Sequence, residues 1–282
     1  MKNVKKIGLL MMLSSFGFAQ DLQQAKNDIA AERYDKAKKT LKALIQSNPD
    51  NGKNFFYLGD IYLTQKDTDS ASLMFNKGVL AKEKGSLNYI GLGAIELDAK
   101  NNSAAIANFD KATKDIKKKD TDETLLIAKA YIQSENPNYK SAIEIINKIL
   151  LANEQNAQAH LLLGDAHFGD GNVNEAYSAY RNAYSYDNSL LLAKMNLAKI
   201  TKNARAFNEA VKSFDEIVKT NPNFGPVYRE LAETYYYWAS SDASKYQEYI
   251  AKALGYYEKY MSLTDYSITS RMRHADFLIL AK

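Results

Sequence analysis

Phe55-Phe56-Tyr57-Leu58-Gly59-Asp60-Ile61-Tyr62, followed by Ala71-Ser72-Leu73-Met74-Phe75, is the stretch that decides the fold. Phe55, Leu58 and Tyr62 recur at spacings of three and four, which places them on one face of a helix. Ala71 and Phe75 lie one turn apart and predict a second helix. Gly59, beside Leu58, offers no side chain where a second backbone would have to come close, and Ala71 does the same on the second helix. Two short antiparallel helices packed through small residues form a unit of 34 residues, 52–85. One such unit cannot bury its own apolar face, so it requires neighbours of the same kind.

The same skeleton returns along the chain. Ala37, Leu41 and Leu44 precede the turn Asn48-Pro49-Asp50-Asn51, where Pro and Asn stop one helix and start the next. Tyr89, Leu92 and Gly93 lead to Ala105, Phe109 and Ala112. Ile127, Ala128 and Tyr131 lead to Ala142, Ile146 and Ile149, through a turn at Asn136-Pro137-Asn138 that is two residues longer than the frame. Leu163, Gly164, Ala176, Tyr180 and Ala183 follow, then Leu197, Ala198, Ala210, Phe214 and Ile217. A last unit holds Tyr228, Leu231, Ala232 and Tyr235, but its second helix resumes only at Ala253, Tyr257 and Tyr260. Those two helices are therefore extended or joined by a longer excursion. The frame divides the chain into units at about 20–51, 52–85, 86–120, 121–156, 157–190, 191–224 and 225–267, with a lone helix at 268–282.

This spacing resembles the tetratricopeptide repeat (TPR) signature, with Phe55 where the family usually has Trp. The resemblance covers nearly all of the chain after residue 19. It implies an all-α, right-handed superhelical solenoid of antiparallel helix pairs, which receives ligands in a concave groove lined by first helices. The groove positions of that family, carried onto this frame, are the fifth, ninth and twelfth of each unit. The fifth carries Leu22, Phe56, Ile90, Leu125, Leu161, Met195 and Arg229; the twelfth carries Ile29, Leu63, Leu97, Ile132, Phe168 and Tyr236. The ninth, between them, carries Lys26, Asp60, Ala94, Lys129, Asp165, Lys199 and Glu233. One reading is an apolar trough with alternating charges, suited to an extended or helical peptide; the other is helix packing. The mixed signs at the ninth position argue against a basic clamp for one acidic tail.

Composition sets the remaining bounds. Lys2, Lys5 and Lys6 precede Ile7-Gly8-Leu9-Leu10-Met11-Met12-Leu13, and small residues follow at Gly17 and Ala19, the pattern of a secretory signal peptide cleaved after Ala19. The chain is thus similar to an exported bacterial TPR-repeat protein of the periplasm or cell envelope, with no stable membrane insertion after cleavage. Without those three lysines, the balance is 34 basic to 33 acidic residues, too even for a nucleic-acid footprint. The absence of Cys excludes disulfides, thiolate metal sites and thiol nucleophiles.

No nucleophile elbow, phosphate loop or paired catalytic carboxylate is evident, so neither enzymatic activity nor a cofactor is expected. His160 and His167 are seven apart, with no third donor to make a metal site, and they occupy packing positions of the skeleton. Asp170-Gly171-Asn172-Val173-Asn174 begins like a calcium loop but carries Glu175 at its sixth position and Arg181 at its twelfth, so it reads as a polar turn. Lys117-Lys118-Lys119 reads as a solvated helix end.

Tyr228, Tyr235, Tyr236, Tyr237, Tyr246, Tyr249, Tyr256, Tyr257, Tyr260 and Tyr266 crowd the seventh unit, together with the sole Trp, Trp238. They pack an enlarged repeat or supply an interface, with Tyr236, Tyr237 and Trp238 as a candidate patch. The expected function is a protein-interaction scaffold that binds a peptide or partner domain. The alternative is a structural envelope-assembly factor that binds glycan or peptidoglycan through those aromatics. The final helix ends Phe277-Leu278-Ile279-Leu280, which leaves little polar face and predicts association through the C-terminal end.

Overall fold

The computed structural model describes residues 20–114, 120–265 and 267–281. The predicted export signal, Lys117 to Lys119 and Tyr266 lie outside the described residues. The chain forms two compact units that meet in sequence between Lys119 and Asp120. The first contains a helix over 20–30 (α1), α2 Tyr34–Ser47, α3 Gly52–Thr64, α4 Thr68–Val79, a 3-10 turn Gly85–Leu87, α5 Asn88–Asp98 and α6 Asn102–Thr113. The second contains α7 Thr121–Gln133, α8 Tyr139–Ala152, α9 Ala157–Gly169, α10 Val173–Tyr186, α11 Leu191–Asn203 and α12 Phe207–Thr220. It continues with α13 Gly225–Ala239, a 3-10 turn Ala243–Lys245, α14 Tyr246–Leu263 and α15 Ile268–Leu280. No strand occurs among the described residues. The architecture is an all-α array of helix pairs.

The turn within each pair has a local cause. Glu32, Lys66 and Lys100 adopt positive φ, as do Gly171 and Arg205, each 34 residues after the one before within its unit. Around them the chain closes each helix by bonds reaching back five residues, such as Asp67 N–H to the Tyr62 carbonyl at 2.9 Å and Asn101 N–H to Glu96 at 2.8 Å, the pattern of a left-handed helix stop. In two of these turns the next residue also caps the following helix: Asp67 accepts from the Ser70 N–H, and Asn101 from Ala104. Thirty-four residues before Gly171 stands Pro137, whose ring holds φ near −65°. The α7–α8 turn therefore takes a longer course through residues 134–138. Asn138 caps α8 from there by accepting the Ser141 N–H.

Packing follows the skeleton, with one correction. The close approach at Gly59 is made by the Phe75 ring and not by a backbone: a Cβ on Gly59 would lie 2.4 Å from that ring. Tyr180 enters the space over Gly164 in the same way. Phe75, Phe214, Leu58, Ile146 and Ile217 are fully buried, as are Ala71, Ala105, Ala142, Ala176 and Ala210. Several kilocalories per mole of apolar burial per repeat follow, at about 1.5–3 for each large side chain.

The first unit adds a clasp between successive turns. Gly52 N–H donates to the Glu83 carbonyl at 2.7 Å, and Glu83 N–H donates to Asp50 at 2.9 Å. Beneath it, the buried Asn88 side chain donates to the carbonyls of Gly52 and Gly85 at 3.0 and 3.1 Å.

In the seventh repeat both predicted alternatives hold at once. Helix α14 is 18 residues long, and a 3-10 turn joins it to α13. Tyr228, Tyr235, Tyr249, Tyr257 and Tyr260 are buried between these helices.

Candidate interaction surface

A first helix packs against the second helix of its own repeat and against helices of adjoining repeats, as α3 does against α4, α2 and α5. Most of its circumference is therefore covered. This overturns the groove assignment at five of the seven fifth positions, while Leu22 and Arg229 keep partial exposure. Phe56, Ile90, Leu125, Leu161 and Met195 are all buried, Leu125 to 1% exposure, and they are core. At the twelfth position Leu97 is buried as well, whereas Leu63, Ile132, Phe168 and Tyr236 keep partial exposure.

Asp165 and Glu233, at the ninth position, do not line an open trough either. The Asp165 carboxylate accepts the Tyr180 hydroxyl at 2.8 Å and the Asn196 amide at 3.1 Å, which ties α9 to α10 and α11. Burial pushes the Asp165 carboxyl above its usual range, against the opposing pull of the Tyr180 hydrogen bond and the Lys199 charge. Burial, and then the Asp165 charge, raise the Tyr180 hydroxyl in turn. Glu233 receives a two-pronged bond from Arg273, at 2.9 Å to Nε and 2.8 Å to Nη2, linking α13 to α15. Arg229 donates to the Tyr260 hydroxyl at 3.1 Å and lies over its ring. Lys199 stands 5.9 Å from the Phe168 ring centre. Asp60 and Lys129 are partly exposed.

Sequence reasoning missed the most buried of these ties. Lys202 Nζ donates to Glu230 at 2.7 Å, and both side chains are less than a tenth exposed. The available signal was a lysine at the twelfth position, in a row that is otherwise apolar, followed 28 residues later by a glutamate. Asn196 and Arg273, the partners of Asp165 and Glu233, were missed as well. They lie 31 and 40 residues from the groups they satisfy, and no local pattern joins them.

The aromatic patch comes apart in three directions, because consecutive residues on a helix lie about 100° apart. Tyr236 faces α15, under the Arg273 guanidinium at 4.5 Å and edge-on to Phe277. Trp238 stacks on Tyr249 at 4.6 Å and on Tyr235 and Phe207 near 6 Å. Only Tyr237 is open, at 49% exposure. It joins Lys202, Asn203, Arg205, Phe207, Ser240 and Ser241 around a cavity of about 250 Å³. The two serine hydroxyls donate to the Tyr236 and Tyr237 carbonyls, which leaves their oxygens as acceptors.

His160 bonds the Glu154 carbonyl through Nε2 at 2.8 Å and packs on Tyr186, as a core residue does. Gly171 is the left-handed turn between α9 and α10, with Asp170 and Asn172 bonded to each other beside it. Among the described residues, no three His, Cys, Asp or Glu converge as a metal site. No helix there is long and apolar enough to cross a membrane.

Comparison with known proteins agrees with this architecture. Residues 28–89 match one tetratricopeptide-repeat family model and residues 125–189 match a second. No curated protein sequence matches the chain significantly. Among solved structures, a tetratricopeptide repeat protein from Parabacteroides merdae ATCC 43184 is 16% identical, with a TM-score of 0.55 over 94% of this chain and 98% of that one. A thermophilic TPR protein of Thermus thermophilus is 16% identical, with a TM-score of 0.53 over 69% of this chain and 99% of its own. Human IFIT1, solved as a dimer with m7Gppp-AAAA, is 15% identical, with a TM-score of 0.59; 87% of this chain aligns to 57% of that one. At these identities the likeness is one of fold.

Proposed function

The chain is a tetratricopeptide-repeat protein, and we propose that it is a non-enzymatic interaction scaffold of the bacterial periplasm or cell envelope. Its ligand is a peptide segment or partner domain laid across the first helices of the second unit. One observation carries the reading. On α7 and α9 the side chains Ile132 and Phe168 are half-open at the same position of the repeat, Lys199 of α11 stands 5.9 Å from the Phe168 ring centre, and the acidic Asp165 of α9 is held by Tyr180 and Asn196. Apolar contacts beside an ammonium group suit a peptide that presents a large apolar side chain and carbonyl or carboxylate oxygens.

A photo-reactive phenylalanine analogue at Ile132 and at Phe168 tests this in living cells, with Leu151 as control, exposed to 88% on α8. The expected result is one protein crosslinked from both first-helix positions and not from Leu151. With that partner purified, Phe168→Lys weakens binding roughly thirtyfold, the loss of one hot-spot contact of about 2 kcal/mol. Equal crosslinking from all three positions would refute the assignment. The intact mass of the envelope-fraction protein tests the address; a species that retains Met1 there refutes cleavage after Ala19.

A second reading has its own observation. Tyr237, Arg205, Asn203 and the acceptor oxygens of Ser240 and Ser241 around one small cavity offer an aromatic platform with polar groups at its edge. That chemistry suits a single sugar unit of a glycan. Retention on isolated cell wall, lost in Tyr237→Ala, supports it over the peptide reading.

A further inference from the structure

Helix α15 shows two different faces. Phe277 is fully buried between Tyr257 and Tyr236, at ring-centre distances of 5.1 and 5.7 Å. The Arg273–Glu233 bond fastens the same side to α13. Away from the body, Ile268 is 70% exposed, Met272 67% and Ile279 69%, with Ala275 also exposed. At 100° per residue these four fall within about 60° of one another. They form a continuous apolar stripe along the 13 residues of the helix. Isolated exposed apolar residues are ordinary, but a stripe in register is not. Of the C-terminal residues expected to be open, Phe277 is thus corrected to core, while Leu278 and Ile279 are exposed.

The spacings four, three, four are those of coiled-coil d, a, d and a positions, with Ile268 at d, Met272 at a, Ala275 at d and Ile279 at a. In that frame Arg271 takes a g position and Asp276 the following e position, on opposite borders of the stripe. In a parallel pair of helices a g residue meets the e residue five places on in its partner. Arg271 of one copy therefore meets Asp276 of the other, and the contact occurs twice. An antiparallel pair joins g to g and e to e, which in the register of this stripe sets Arg271 against Leu278, so Arg271 and Asp276 of the two copies do not meet. The stripe is thus complementary to itself in one orientation.

We propose that this face of α15 is a homodimer contact, in which two copies pack their α15 helices in parallel about a two-fold axis. The helix is already ordered by its buried side, so pairing does not have to form it from coil. Its length of under two heptads gives less area than stable interfaces bury. The dimer is therefore weak and concentration-dependent.

The absence of Cys makes the test clean. In a parallel pair the two Ala275 positions face each other, so full-length Ala275→Cys forms an intermolecular disulfide under mild oxidation. Leu151→Cys, equally open but on α8, does not. Sedimentation over a hundredfold concentration range shows the unmodified protein passing from monomer to dimer. Met272→Glu and Ile279→Glu shift that transition at least tenfold upward in concentration. Asp276→Arg does the same, and the charge swap Arg271→Asp with Asp276→Arg restores it. A monomer at every concentration overturns the proposal, as does a dimer indifferent to Met272→Glu. A dimer that Ala275→Cys fails to trap overturns it too. Unchanged Trp238 fluorescence in each variant shows that the fold persists.

Discussion

Replacing Lys202 by Met breaks the buried ion pair of the second unit. Its ammonium sits 2.7 Å from Glu230, and both side chains are under a tenth exposed. At an effective dielectric constant of about 20, such a pair attracts by roughly 6 kcal/mol. Most of that is offset by the cost of removing both charges from water, so the net worth of the pair is small. The cost of breaking it is not. In Lys202→Met the Glu230 carboxylate stays buried without its counter-ion, and the expected loss is about 3–5 kcal/mol. In the double variant Lys202→Met with Glu230→Leu no charge is stranded, and stability returns to within about 1 kcal/mol of the original or exceeds it. Trp238 reports the event, because it stacks on Phe207 and Tyr235 beside this pair. Urea unfolding followed by its fluorescence gives both values. A single variant that loses less than about 1 kcal/mol would refute the reasoning, as would a double variant as unstable as Lys202→Met alone.

Three further outcomes are expected. Gly171→Ala, at φ +82°, costs about 1 kcal/mol in thermal melts, whereas Lys100→Gly is near neutral because relief of left-handed strain is balanced by a looser unfolded chain. Asn88→Ala leaves the Gly52 and Gly85 carbonyls without their donor; it costs about 1–3 kcal/mol, seen as faster hydrogen exchange within the first unit alone. Asp165, whose carboxyl is raised by burial, binds its proton more tightly folded than unfolded, so its contribution is full below the unfolded value and lost as pH rises through the folded one. Asp165→Asn therefore gains stability relative to the parent as pH rises from about 3 through the carboxylate range, and a difference that stays constant with pH contradicts the assignment.

Helix pairs were legible in the chain because their signals are local. Phe55, Leu58 and Tyr62 declare a face by spacing alone, and Ala71 with Phe75 declares the face opposite. The turns were only half legible. Nothing in the letters of Glu32, Lys66, Lys100 or Arg205 announces a left-handed backbone; only Gly171 does. The surface was least legible, because exposure is a property of neighbours. Leu125 and Phe168 are both apolar residues at family groove positions, yet one is sealed and the other half open. Tyr236, Tyr237 and Trp238 look like a patch when written in a row, and the helix sends them to three places. Phe277 and Ile279 look equally greasy, and only the packing of α15 on Tyr257 separates them.

The bonds between repeats give each repeat an address. Suppose residues 191–224 were excised and the frame kept. Asp165, which now meets Asn196, would then face the residue at the equivalent place in the next repeat, Glu230, so carboxylate would oppose carboxylate. Glu230 would lose Lys202 and find Phe168 at that position instead. A chain built by copying one unit has in this way acquired unlike neighbours, so that the repeat at 191–224 can no longer be dropped without stranding a charge.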